Sequence, residues 1–101
     1  MAQLIYSEKA LADLERLADF LVQAAPAAAS ATVGLITQAV SVLSHHPYIG
    51  RAVGEGLHEL VISRGHTGYI ALYAFQRMDD AVLILSIRHQ REAGYASQES
   101  E

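Results

Sequence analysis

Three runs rich in β-branched and aromatic residues follow one another closely in the second half of the chain: Leu57 to Arg64, Tyr69 to Gln76 and Ala81 to His89. The segments between them, Gly65-His66-Thr67-Gly68 and Arg77-Met78-Asp79-Asp80, are too short for a crossover helix, so the runs must pair as an antiparallel meander. The last run contains Val82-Leu83-Ile84-Leu85-Ser86-Ile87, an almost unbroken apolar stretch that reads as an interior strand. Leu72 and Leu85 are accordingly expected in the core.

The first half has to cover this sheet. Leu4, Ile5 and Tyr6 make a short edge strand, and Ser7 offers a hydroxyl to the free amides of a helix start. Leu11, Leu14, Leu17, Ala18, Leu21 and Val22 then recur at three-and-four spacing, which predicts a helix with Glu8, Asp13, Glu15, Asp19 and Gln23 facing outward. Pro26 ends this helix or opens the next. From Ala27 to about Ser44 a second helix presents Thr32, Leu35, Ile36, Ala39, Val40 and Leu43 on one face, and the alanines at the junction permit a close antiparallel hairpin. His45 and His46 fall at the last carbonyls and Pro47 stops propagation; Pro47 to Gly56 reads as a loop. The expected fold is α+β in the order β-α-α-β-β-β, with a helical hairpin on one face of a mainly antiparallel sheet. Residues 1–95 form one domain and the polar tail 96–101 is expected to fray.

Composition removes several functions. Cysteine is absent, so disulfides, thiolate nucleophiles and Cys-based metal sites are excluded. Adjacent His45 and His46 point in different directions and have no third ligand at helical spacing, so neither metal nor cofactor is expected. No signal peptide is readable and no apolar run approaches the roughly 20 residues of a bilayer span, which points to the cytoplasm and away from membranes. The formal charge is -4, and Arg51, Arg64, Arg77, Arg88 and Arg91 are balanced by Glu55, Glu59, Asp79, Asp80 and Glu92. A chain with one lysine and no basic half is not expected to bind nucleic acid tightly.

A hairpin shields one side of a small sheet, yet apolar residues occupy both alternating sets of strand positions. Leu60, Ile62, Ile70, Leu72, Val82 and Ile84 belong to one set, and Val61, Tyr69, Tyr73, Phe75, Leu83, Leu85 and Ile87 to the other. Either the sheet curls to bury both sides, or a second copy of the chain closes the bare one, or another polypeptide covers it. Beyond the last strand, Arg88-His89-Gln90-Arg91-Glu92-Ala93-Gly94-Tyr95 gathers ionisable groups at a rim where a partner can meet them.

These features together carry a resemblance. The early strand and helical hairpin, then Pro47-Tyr48-Ile49-Gly50-Arg51, Gly56-Leu57-His58-Glu59-Leu60-Val61, Gly68-Tyr69-Ile70-Ala71-Leu72-Tyr73 and the stretch Ile87 to Tyr95, resemble in order and spacing the RelE/ParE superfamily of type II toxin–antitoxin toxins. The ending is similar to the ParE, or plasmid-stabilisation, branch. The resemblance implies a bacterial growth inhibitor neutralised by a cognate ParD-like antitoxin, with homodimers or antitoxin heterotetramers as possible assemblies. ParE-like members inhibit DNA gyrase; RelE-like members cleave mRNA on the ribosome. The RelE-like pattern has an arginine before the hydrophobic-hydrophobic-tyrosine end of the middle strand, and Tyr69-Ile70-Ala71-Leu72-Tyr73 lacks it. The ParE-like reading therefore implies no catalytic residue, only a surface for target or antitoxin built from Arg51, Glu59, Arg88, His89, Arg91, Glu92 and Tyr95. If the chain is instead an RNase, Arg64 and Arg88 hold phosphate and His89 is the acid or base. A non-toxic homodimeric scaffold is the third alternative. Tyr69 and Tyr73 read as core edge, and His58 and His66 as solvent-facing.

Overall fold

The computed structural model describes residues 1–64 and 67–90, with the side chains of residues 63, 64 and 67 left out. Within them the chain runs β1 (Gln3–Tyr6), α1 (Glu8–Ala24), α2 (Pro26–Ser41), β2 (Arg51–Gly54), β3 (Leu57–Arg64), β4 (Thr67–Gln76) and β5 (Ala81–His89). The strands form one sheet in the order β1-β5-β4-β3-β2, in which β1 is parallel to β5 and the other pairs are antiparallel. The α+β reading, with a helical hairpin on a mainly antiparallel sheet, is borne out. One element was not foreseen: the stretch from Pro47 to Gly56, expected as a loop, contains β2. Arg51 and Ala52 pair with Glu59 and His58, and the return turn uses positive φ at Gly54, Glu55 and Gly56. Glycine occupies two of those three positions, where positive φ carries no Cβ penalty. The strand is short and wholly exposed, so it carries no apolar alternation to announce it.

Ser7 works at three points of the β1 to α1 junction. Its Oγ accepts from the Ala10 amide at 3.0 Å, as a helix cap should, and donates to the Leu85 carbonyl at 3.1 Å. Its own amide donates to the Ile84 carbonyl at 2.9 Å. Pairing of β1 with β5 stops at Tyr6 and Ile84, so beyond that level the edge of β5 lies open, and α1 runs beside it. There Asp13 Oδ2 accepts the Ile87 amide at 2.9 Å. Asp13 is therefore buried, at 7 % exposure, and not outward-facing as its position in the sequence pattern suggests. Lys9, at 3.1 Å, and Arg16, at 3.7 Å, balance its charge from the rim. The buried line of α1 is Ala10, Asp13 and Leu17, while Leu11 and Val22 are exposed.

Pro26 takes the first turn of α2, with Ala25 between the helices. The predicted face holds: Thr32, Ile36, Val40 and Leu43 are buried, and Leu35 and Ala39 pack against the core. Contrary to the expectation that no segment approaches a bilayer span, Pro26–Ser44 gives 19 residues of mean hydropathy 1.4, long and apolar enough by length and composition to cross one. Here its apolar face closes the core against Val82, Ile84 and Ile87. Each such aliphatic side chain contributes about 1.5–3 kcal/mol on burial.

A bulge in β5 resolves the puzzle of two apolar parities. Leu72 is opposite Ser86 but Tyr73 is opposite Ile84, so Leu85 is an extra residue and the facing of β5 shifts there. The helix side collects Leu60, Ile62, Tyr69, Tyr73, Phe75, Val82, Ile84 and Ile87; the opposite side receives Ile5, Val61, Ile70, Leu72 and Leu83. Leu72 and Leu85, expected in the core, are half-buried. Ile84 and Ile87 hold that place instead.

Candidate functional site

On the side of the sheet away from the helices, three charged residues meet. Arg51 of β2 stands opposite Glu59 of β3, and its Nη2 approaches Glu59 Oε1 at 2.6 Å. Arg88 of β5 lies two strands away from Glu59, and its Nη2 reaches Glu59 Oε2 at 3.3 Å. Neighbouring strands lie roughly 4.8 Å apart, so the aliphatic stem of Arg88 must cross β4 at the level of Ile70 and Leu72, the residues paired with Arg88 and Glu59. The carboxylate is the centre of the arrangement. Its side chain is 13 % exposed, against 67 % for Arg51 and 35 % for Arg88. The outer pair is solvated and worth under about 1 kcal/mol; the inner one fixes a guanidinium whose Nε is buried and has no hydrogen-bond partner among the described residues.

His89 is on the other side. Strand alternation carries it to the helix face, where its ring meets Tyr69 edge-on at 5.2 Å. Of the anticipated site residues, the structure thus brings together Arg51, Glu59 and Arg88 and separates His89 from them. The Arg64 side chain, Arg91, Glu92 and Tyr95 lie outside the described residues, as do His66 and the tail 96–101. Among the described residues no group of three or more histidine or acidic side chains is placed to hold a metal ion.

A second cluster, missed in the sequence, occupies the β2 end of the helix face. His58, expected to face solvent, is half-buried and stacks on Tyr73 at 5.5 Å and 24°. Tyr48 leans on both His58, at 5.8 Å, and Phe75, at 5.3 Å. The signal available was alternation: His58 shares parity with Leu60 and Ile62 and pairs with Tyr73. The Tyr73 hydroxyl accepts the Gly50 amide at 2.9 Å, and a Cβ at Gly50 would sit 2.6 Å from both that oxygen and the Glu59 carbonyl. Only glycine fits so close an approach.

Burial pushes the Tyr73 phenol above its usual 10.0, with the Gly50 hydrogen bond pulling part of the way back. The protonated phenol is the neutral form, so its contribution to stability is fully present below the unfolded-state value. It is lost as pH rises through the higher folded-state value, because the unfolded chain releases its proton first. Chemical-denaturation midpoints should therefore fall above pH 10 in the wild type and fall less in Tyr73→Phe. Equal slopes would show that the buried phenol is not the group responsible.

Comparison with known proteins agrees with this architecture. Residues 4–94 match the model for the ParE toxin of the type II toxin–antitoxin system parDE. Toxin RelE3 of Caulobacter vibrioides is 36% identical over 84 residues, covering 83% of this chain and 89% of that protein. A chromosomal ParDE toxin–antitoxin system from P. aeruginosa superposes with a TM-score of 0.72 at 26% identity, over 87% of this chain and 95% of the other. The toxin fold also recurs in the intact E. coli RelBE complex, at a TM-score of 0.66 and 15% identity over 87% and 95% of the two chains. A hairpin on one side of the sheet and a charged, partly apolar surface on the other thus define a toxin of a type II toxin–antitoxin module. Within that class the chain belongs to the ParE toxin family.

Proposed function

We propose that this toxin inhibits DNA gyrase in the cytoplasm and is neutralised by a cognate ParD-like antitoxin. The observation that carries the reading is Glu59. A ribonuclease needs cations free to stabilise a pentacoordinate phosphate and a proton-transfer group converging on the same atoms. Here a carboxylate sits between the two arginines of the open face, and His89, the proposed acid or base, lies across the sheet from them. Such a surface suits a protein partner better than a polyanion.

The kinship with RelE3 makes ribosome-dependent mRNA cleavage the reading to set against it. Induced expression without the adjacent antitoxin gene should arrest growth with the DNA-damage response switched on, and purified toxin should inhibit supercoiling by gyrase. Arrest accompanied by mRNA cut at ribosomal A sites, with supercoiling unaffected, would establish the RelE-like activity instead. No arrest at all would leave the harmless scaffold.

A further inference from the structure

We infer that Glu59 decides what the open face refuses: its carboxylate holds shut a two-arginine site for phosphate diesters, so that the toxin can meet a protein target without being drawn onto RNA. The inference deepens the reading of that face as a protein-binding surface and rests on it, but not on gyrase as the target. Arg51 and Arg88 come from β2 and β5, with two strands between them, yet their heads converge. Glu59 gives one carboxylate oxygen to each, Oε1 to Arg51 at 2.6 Å and Oε2 to Arg88 at 3.3 Å. At that level β4 contributes the apolar Ile70 and Leu72, so the carboxylate is what draws the Arg88 head across the strand. Taken away, it leaves two guanidinium groups side by side, Arg51 exposed and Arg88 half-buried, and converging guanidinium donors are what a phosphate diester needs. With the carboxylate in place, an incoming diester finds the donors engaged and a fixed like charge between them. That charge is largely withdrawn from water, where screening is weak.

The need for such a device follows from where the arginines stand. RNA attracts lysine and arginine whatever its sequence, and two unmasked arginines on the working surface would hold the toxin on the wrong macromolecule. The net charge of -4 gives little protection at that spot, because exposed charges more than about 8–10 Å apart are mostly screened at physiological salt. A carboxylate in contact with both guanidinium groups acts where the phosphate would arrive. Selectivity comes as much from a charge set against the wrong ligand as from contacts to the right one. A protein target can leave this bridge intact and cover the exposed Val61 and half-buried Leu72 beside it.

The test is the affinity of the full-length toxin for a single-stranded oligouridylate, followed by fluorescence anisotropy over a series of salt concentrations. Glu59→Gln keeps the size of the side chain and removes its charge. It should bind about tenfold tighter than wild type at low salt, with a dependence of log affinity on log salt steeper by about 1.4, the counterion release expected when two arginines engage the phosphates of a single strand. Adding Arg51→Ala or Arg88→Ala to Glu59→Gln should remove about half of that extra slope, and adding both should remove all of it. Should Glu59→Gln not fold, as thermal unfolding will show, Glu59→Ala makes the same test; unfolding of both overturns the inference, since Glu59 is then a strut of the fold. Unchanged affinity and slope in a folded Glu59 variant also overturns it and leaves the protein target standing, as does a gain that survives removal of both arginines. A wild type that already binds the oligouridylate through Arg51 and Arg88, with a slope that falls when either is replaced, overturns the inference and the protein-target reading together. The full gain in Glu59→Gln sustains the inference even if wild-type toxin leaves gyrase supercoiling untouched.

Discussion

Replacing Asp13 with leucine should destabilise the protein by about 2–4 kcal/mol, most of a small domain's margin. The leucine matches the apolar surroundings, so hydrophobicity alone predicts little change or a gain. Hydrogen bonding predicts the opposite. The Ile87 amide lies past the last β1 pair, inside the molecule, and Asp13 Oδ2 at 2.9 Å is its acceptor. With leucine there it becomes a buried donor without an acceptor, and Lys9 and Arg16 lose their counter-charge. Asp13→Asn separates the two contributions, because its amide oxygen still accepts from Ile87 while the ion pairs are gone. As those pairs lie at the exposed rim, Asn should recover most of the loss. Denaturant titration of the two variants is the measurement. If Asn proves as damaging as Leu, the charge and not the hydrogen bond is what matters at this site.

Asp13 also shows where the sequence stops being legible. Local rules found the Ser7 cap, the helix face through Ile36 and Val40, and the meander, since each depends on residues close in sequence and on a fixed period. The role of Asp13 depends on β1 ending before β5 does, a fact held by two segments more than seventy positions apart. Leu85 is a similar case. One extra residue reverses the facing of the rest of β5, so strict alternation assigned Ile84 and Ile87 to opposite sides although both are in the core. At the site, Arg88 was singled out because it follows an apolar run and Glu59 because the resemblance implied it, but that they meet across an intervening strand is a matter of register. His89 was grouped with Arg88 because they are neighbours in sequence, and in a strand neighbours point apart.

That separation yields the sharpest functional test. Arg88→Ala and His89→Gln should differ widely in toxicity: the first should abolish growth arrest, raising surviving colonies by about two orders of magnitude if Arg88 is a binding hot spot, and the second should leave arrest within a few-fold of wild type. The reason lies in the two surfaces. Arg88 lies on the open face with Arg51 and Glu59, where a macromolecule can reach it; His89 packs against buried Tyr69 under the hairpin side. A ribonuclease that used Arg88 for phosphate and His89 for proton transfer would lose activity with either change, since such groups act as a unit and their effects do not add. Paired with thermal unfolding of the same two variants, the outcome also distinguishes a lost target contact from a lost fold. Equal loss of toxicity in both, with both still folded, would mean that the described open face is not the surface by which this toxin acts.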